Sequence, residues 1–508
     1  MNDTLDITAV LIYPYKKIRN AKFKFIKTSF VLHCALFDFL MKRHGGLMKR
    51  FDVLIIGSGP GGQRAAFQAS KLKKHVAVIE RHPYIGGAGL HTGTLPSKTL
   101  REAALFLSGF KQRAIFGFQL TMGREATLQE LMYRKMDVIK KQMEVIIDQF
   151  SRNNIEIVYG EASFIDEHRL TVKGARGSEE FYGEVIIIAT GTRPLRPTEV
   201  PFDEDHIYDT DTILKIDTIP STITIIGGGV IGCEYACIFA SLGVKVTLVE
   251  KKSRLLPFAD EEIVNSLIYW MRHSGITLRL NEEVVKITVE GKDRVITTLK
   301  SGKQAVSEKL LYTMGRVGNT DMLNLSAVGL NPNERGGLKV NESFQTATPN
   351  IYAVGDVIGF PALASTSMEQ GRRAVCSAFH REEMTCEVAS HLPFGIYTIP
   401  EISMVGETEE SLTAKAIPYE IGCALFQEVA KGQIIGDTHG MLKLLFHRED
   451  RRVLGVHIIG ERATELIHIG QAVMDFGGTI DYFKDAVFNY PTLSDAYKVA
   501  ALNGLNRL

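Results

Sequence analysis

From Phe51 onward the apolar and polar positions follow a repeating order. Residues 51–57 are a short apolar run rich in Val and Ile, as expected of a buried parallel strand. Residues 60–73 shift to a helical period, and 75–80 return to a strand. The same sequence of strand, glycine turn, helix and strand comes back at 222–227, 230–242 and 244–250. In both copies a Glu ends the second strand 23 positions after the first glycine (57 to 80, 227 to 250). Such a shared spacing points to an internal duplication. Between the copies, 127–154 is amphipathic and predicts a long helix, followed by strands at 155–159 and 184–189. After the second copy come a helix at 260–274 and several strand runs ending near Met314. A third region, from about Thr385, opens with Pro393-Phe-Gly-Ile-Tyr-Thr-Ile-Pro400 and alternates strands with helices to the end. With no low-complexity linker between them, the parts are expected to pack together.

The chain is 508 residues long, enough for two to four domains. Its 59 Lys and Arg balance 58 Asp and Glu, so charge gives no reason to expect a nucleic-acid partner. No apolar run reaches the roughly 18 residues of a membrane span. Six cysteines (Cys34, Cys233, Cys237, Cys376, Cys386, Cys423) are scattered without a C-x-x-C pair, which fits a reducing, cytoplasmic setting. Cys233 and Cys237 lie one helical turn apart and read as small core residues. His457 and His468 lack metal-ligand spacing and read as structural, so no metal site is expected. Residues 1–47 are basic and lack periodicity. They read either as an extension that touches a membrane or partner, or as translated upstream sequence before a start at Met41 or Met48. The second reading is preferred, because the first strand follows Met48 at once. The apolar run 30–40 is broken by Asp38, lies far from the terminus and has no cleavage signal after it, so it is not a signal peptide.

Gly57-Ser-Gly59-Pro-Gly-Gly62 is a G-x-G-x-x-G turn between strand and helix. Gly57 permits the tight turn, Gly59 lets a pyrophosphate approach the backbone, and Gly62 lets helix and strand pack closely; Glu80 is placed to accept from ribose hydroxyls. Gly227-Gly-Gly229-Val-Ile-Gly232 with Glu250 repeats the logic. A carboxylate at 250 favours a free 2′-hydroxyl, hence NAD, while Lys251, Lys252 and Arg254 just after it offer cations for the 2′-phosphate of NADP; both readings stand. The turns Ile187-Ile-Ala-Thr190-Gly191 and Ile351-Tyr-Ala-Val-Gly355-Asp356 each end a strand in small residues.

Taken together, these motifs resemble the FAD-dependent pyridine nucleotide–disulfide oxidoreductases over roughly residues 50–508. The resemblance implies an α/β fold: two Rossmann-type dinucleotide-binding domains plus a C-terminal α+β dimerisation domain. Residues 48–193 and 317–384 would form a split FAD domain, 194–316 the NAD(P) domain and 385–508 the dimerisation domain. It further implies that Asp356 and the Thr190-Gly191 turn hold FAD, that a helix beginning near Ala362 points its N-terminus at the flavin, and that the protein is a homodimer. Lys98 matches the family's lysine beside the flavin and Glu234 its ion-pair partner, while Val230 is a weaker candidate at the nicotinamide pocket. Tyr490 stands in the C-terminal tail, which in the family reaches the partner subunit's site.

Two departures from the family pattern shape the functional expectation. The redox cysteines that the family carries ahead of Pro-Ser-Lys are Gly89 and Thr94 here, and neither forms a thiolate. The histidine base of the disulfide-reducing members is Tyr490, and a tyrosine, with an ordinary pKa of about 10, is a poor base at neutral pH. Residues 93–98, 229–236, 310–320 (with Arg316 and Asn319), 395–403, 460–472 and 488–492 resemble one branch, the soluble pyridine nucleotide transhydrogenases. That branch keeps the Thr and Tyr but commonly retains a Cys where Gly89 stands. The expected activity is therefore ping-pong hydride transfer between NADPH and NAD through FAD, without a disulfide. Alternatives are a dihydrolipoamide dehydrogenase-like reductase, which needs another Cys pair at the flavin, and a flavoprotein subunit without catalysis. Candidate nucleotide contacts are thus Gly57, Gly59, Gly62, Glu80, Thr94, Thr190, Gly191, Asp356, Gly227, Gly229, Gly232, Glu250, Arg254 and Arg316.

Overall fold

The first strand, Lys49–Ile56, lies in a seven-stranded sheet beside Val76–Glu80, in parallel register from Val53↔Val76 to Ile56↔Ile79. Its Val53, Leu54 and Ile55 are fully buried, as a strand covered on both faces must be. This computed structural model describes residues 48–107, 124–291, 294–381 and 391–508. The reading of 1–47, the opening of the third region at Thr385, and Cys34 and Cys386 lie outside them. Arg50–Leu508 forms one unit.

The duplicated pattern folds as the parallel part of a mixed sheet and as a second sheet that is parallel throughout. In the first, Glu156–Tyr159, Val76–Glu80, Lys49–Ile56 and Gly177–Ile188 run side by side, with Ile351–Ala353 added in parallel on Gly177–Ile188. In the second, the order is Thr277–Leu280, Lys245–Glu250, Thr222–Ile226, Lys309–Tyr312, Ile207–Asp209, parallel throughout. The strand expected at 184–189 starts earlier, at Gly177. Its first half pairs antiparallel with Arg169–Gly174 and opens on exposed Ser178, Glu179 and Glu180, which hide it from an apolar pattern.

The chain passes from the first sheet to the second and back through two short strands, Thr192–Pro194 and Arg316–Gly318, which pair antiparallel with each other. This crossing places Thr192 and Arg316 side by side. The glycine-turn helices are Pro60–Lys71 and Val230–Ser241, and the long helix spans Arg124–Arg152. Pro60–Lys71 packs on Ala364–Ala378 at a close crossing, where a Cβ on Gly371 would stand 2.1 Å from the Gly61 carbonyl oxygen. The C-terminal region is a five-stranded antiparallel sheet in the order Phe394–Ile396, Glu401–Gly406, Val453–Gly460, Met441–His447, Tyr419–Leu425. Helices Ala463–Asp475 and Asp495–Leu505 cover it. No helix among the described residues is long and apolar enough to cross a membrane.

Candidate functional site

Both glycine turns have the geometry their spacing predicts, and they are near copies of each other. Gly57 and Gly227 sit at φ 107° and 112°, a region that disfavours side chains. A Cβ on Gly62 would fall 2.0 Å from the Gly57 oxygen, and one on Gly232 would fall 1.9 Å from the Gly227 oxygen. The middle glycines face open space: Gly229 has no neighbour within 4 Å of a built Cβ, and Gly59 only the Gly87 Cα at 4.0 Å. The strand-ending acids brace these turns. Glu80 Oε2 accepts from the Ser58 N–H (3.1 Å) and hydroxyl (2.6 Å), and Glu250 Oε2 accepts from the Gly228 N–H (2.5 Å). Both carboxylates are thus fixed in place before any ribose arrives, a role the spacing alone does not reveal.

A cavity of about 670 Å³ runs from the first turn to the start of the second helix. It collects Gly57, Gly59, Glu80, Thr94, Lys98, Thr190, Gly191, Glu234, Arg316 and Asp356 among its lining residues. Helical spacing brings the pairs Val230/Glu234 and Ile231/Tyr235 onto its wall. Lys98 Nζ lies 2.7 Å from Glu234 Oε2 and 4.8 Å from the centre of the Tyr397 ring, while the Tyr397 N–H donates to Glu234 Oε1 (2.9 Å). Glu234 is almost fully buried, so its charge is matched by a cation and a backbone donor, as burial requires. Sequence reasoning missed Tyr397, which stands 163 residues from its partner.

At the crossing strands, Arg316 Nε donates to the Thr192 hydroxyl (2.8 Å) and Nη2 to the Thr192 carbonyl (2.8 Å), and the Thr192 hydroxyl donates to Asp356 Oδ2 (3.4 Å). Burial raises the Asp356 pKa, and Arg316 and Thr192 oppose the rise. Asp211, also unpredicted, lines the cavity 3.5 Å from Arg316 Nη1. The hydroxyls of Thr190 and Tyr235 are buried there without a protein partner.

Residues 51–371 match the profile of the pyridine nucleotide-disulphide oxidoreductases, and 392–501 match that family's dimerisation domain. The chain belongs to this family. It is 50% identical over 463 residues to a protein named soluble pyridine nucleotide transhydrogenase in Mycobacterium tuberculosis (strain ATCC 25177 / H37Ra), covering 91% of this chain and 98% of that one. The protein of the same name in Photobacterium profundum is 48% identical over 90% of this chain and 98% of its own. Among solved structures, LpdA from Mycobacterium tuberculosis superposes with a TM-score of 0.82 at 25% identity, covering 90% of this chain and 99% of that one. A Cu(II) complex of the HOCl-induced flavoprotein disulfide reductase RclA from Escherichia coli gives 0.79 at 28% identity, with 90% and 99% covered.

Within this oxidoreductase frame, positions 89 and 94 line the cavity without sulfur. Cys233, Cys237 and Cys376 are buried; burial pushes the Cys237 thiol up to about 12 and raises that of Cys233 well above its ordinary value. Partly buried Cys423 is pushed up to about 11, again mainly by burial. The helix expected near Ala362 begins at Ala364. Gly62, Gly227, Gly229, Gly232 and Glu250 lie behind or beyond the cavity wall, and Arg254 is held by the Ala259 carbonyl (2.7 Å). Lys251 pairs with Glu283 (2.6 Å). Tyr490 is 75% exposed and does not line the cavity of its own chain. His457 is buried with Nε2 on the Glu407 carbonyl, and His468 is exposed beside Gln471, both away from the cavity. A wider, open depression of about 1070 Å³ beside Trp270 and His439 carries neither glycine turn, and two of its acids, Glu262 and Glu409, are paired with Lys443.

Proposed function

We propose that this chain is an FAD-dependent enzyme that passes hydride between NADPH and NAD as a soluble transhydrogenase, without a redox disulfide. One observation carries the reading: the Lys98–Glu234 pair stands intact on the wall of a cavity whose 89–94 segment has no sulfur. The cavity suits FAD. Gly57, Gly59 and Glu80 would hold its adenosine and pyrophosphate end, and Thr190, Gly191 and Asp356 the remainder. The unpartnered Thr190 hydroxyl and the open face of Gly59 leave a donor and a space for it. Bound FAD supplies a ring that accepts a hydride from one nicotinamide and yields it to another.

The rest of the mechanism belongs to the protein. Lys98 would present its ammonium to that ring, and Glu234, fixed by the Tyr397 N–H, holds the ammonium in one place. Gly227, Gly229, Gly232 and Glu250 receive the second nucleotide, and Val230 and Ile231 shape the wall where its nicotinamide enters. Lys251, Lys252 and Arg254 follow Glu250 and would meet a 2′-phosphate there, Lys251 by leaving its exposed pair with Glu283. Because both nucleotides use one site in turn, the kinetics are ping-pong. A hydride carries its own electron pair, so neither a thiol nor a strong base is required. The chain works as a homodimer in which Tyr490 reaches the partner's cavity, in a reducing cytoplasmic setting.

The deciding experiment is stopped-flow mixing of the FAD-loaded protein with NADPH and then with thio-NAD. The flavin absorbance should bleach and return, with parallel double-reciprocal plots in steady state. Uptake of four electrons per subunit, a thiolate-to-flavin charge-transfer band, or appreciable lipoamide reduction would sink the proposal.

A further inference from the structure

A guanidinium taken out of water costs free energy unless acceptors meet its donors. Arg101 is 4% exposed, and its acceptors are supplied from a distant part of the chain. It lies on the helix Thr94–Leu107, three residues after Lys98 and so on the same face. Its Nε and Nη2 both donate to the Thr398 carbonyl (3.1 Å each). Its Nη1 pairs with Glu401 Oε1 (3.2 Å) and with the adjacent Glu102. One flat fork thus holds a carbonyl and a carboxylate at once, which a single ammonium cannot do.

The gripped segment is the link between the strands Phe394–Ile396 and Glu401–Gly406. Two consecutive residues of this link are held from two different helices. The Tyr397 N–H goes to Glu234 on Val230–Ser241 (2.9 Å), and the Thr398 carbonyl goes to Arg101 on Thr94–Leu107. Between these anchors the Tyr397 ring stands on the cavity wall, 4.8 Å from Lys98 Nζ. The contacts form a closed circuit. Lys98 meets Glu234 (2.7 Å), Glu234 takes the Tyr397 N–H, and the next carbonyl returns through Arg101 to the helix that carries Lys98.

Building on the reading of Lys98 as the cation beside the flavin, we propose that Arg101 is a positioning residue for the Lys98–Glu234 pair, acting through the 397–398 link. By holding the Thr398 carbonyl it keeps the Tyr397 N–H on Glu234 and the Tyr397 ring against the ammonium. The C-terminal region thereby completes the wall of the hydride-transfer site in its own chain, a task separate from pairing subunits. The circuit fixes where the ammonium stands, because small displacements near a reacting pair are costly in rate.

The test compares Arg101→Lys, Tyr397→Leu, their double variant and Tyr397→Phe, all loaded with FAD. Arg101→Lys keeps the charge and loses the fork. It should slow flavin reduction at saturating NADPH by roughly tenfold, leave the nucleotide KM within about twofold, and shift the visible flavin spectrum. Tyr397→Leu should do the same, and Tyr397→Phe should recover most of the rate. Because both changes open one circuit, the double variant should be little slower than the slower single. The control is Tyr497→Phe, which removes a buried hydroxyl bonded to the Leu466 carbonyl (2.8 Å) in the same C-terminal region. It should lower Tm without moving spectrum or rate. A wild-type spectrum and rate in Arg101→Lys, losses that multiply in the double variant, or the same losses in Tyr497→Phe would overturn the inference. If Arg101→Lys does not fold, Glu401→Gln loosens the same fork from its far side, and an unmoved flavin spectrum there overturns the inference equally. Wild-type protein run alongside separates the two readings: if NADPH leaves its flavin unbleached, the transhydrogenase proposal itself fails.

Discussion

Lys98 is held in a partly buried wall by a carboxylate that has almost no contact with water, so each charge is poorly solvated without the other. Lys98→Met should therefore cost about 1–3 kcal/mol of transition-state stabilisation, a rate loss of roughly 5- to 150-fold. Glu234→Gln, which keeps an acceptor for the Tyr397 N–H, should cost less. Single-turnover flavin reduction measures both. Asp356 offers a test with a definite sign. Burial raises its folded pKa above the ordinary value of 3.8, so between that value and the raised one the folded chain binds more protons than the unfolded chain. Stability contributed by protonation is then present at low pH and lost as pH rises through the folded pKa. Urea unfolding of FAD-free protein should show Asp356→Asn more stable than wild type at neutral pH, with the advantage gone near pH 3, while FAD binding weakens. Glu80 and Glu250 were legible from their spacing after the glycine turns, whereas Lys98 and Glu234 were legible only through the resemblance to the family. Asp211 was not, because nothing in the run Asp-Thr-Asp marks which carboxylate lines the cavity.

Among the elements, the glycine turns separate folding from binding. A methyl at Gly62 or Gly371 would strike a carbonyl oxygen at about 2 Å, at 2.0 and 2.1 Å in the built geometry, so Gly62→Ala and Gly371→Ala should destabilise the first sheet's helices by several kcal/mol. A methyl at Gly59 meets only the Gly87 Cα at 4.0 Å, so Gly59→Ala should melt like wild type yet lose FAD affinity. Thermal melts paired with FAD titration distinguish the two classes, and equal melting of all three would refute the assignment. The duplication was readable because both turns use short-range spacing. The Gly61–Gly371 crossing was not, since it joins helices some 300 residues apart, and no local pattern marks Gly371 as a contact.

Across the whole molecule, one buried lysine links the C-terminal sheet to the start of the helix Glu261–His273. Lys443 Nζ lies 3.0 Å from Asp260 Oδ2 and 3.0 Å from Glu262 Oε2, and it also contacts Glu409. Asp260 at the same time caps the helix Glu261–His273. The three carboxylates form a cluster that resembles a cation site, but the ammonium already fills it. Lys443→Met would strand them and should cost about 3–5 kcal/mol. Although burial opposes it, pairing raises the folded pKa of Lys443 above its ordinary 10.5, so its contribution is complete below that value and lost as pH rises through the folded pKa. Wild type should therefore lose stability in strong alkali more steeply than Lys443→Met, as chemical denaturation at pH 8 and 11 would reveal. The sealed thiols carry a consequence for chemistry in the cell. Arsenite and iodoacetamide disable enzymes whose turnover passes through an accessible dithiol. Here no cysteine lines the cavity among the described residues, and burial raises the thiol pKa of Cys233 and Cys237, so transfer between the two nucleotide pools should continue undiminished under oxidants and electrophiles that silence dithiol-dependent relatives.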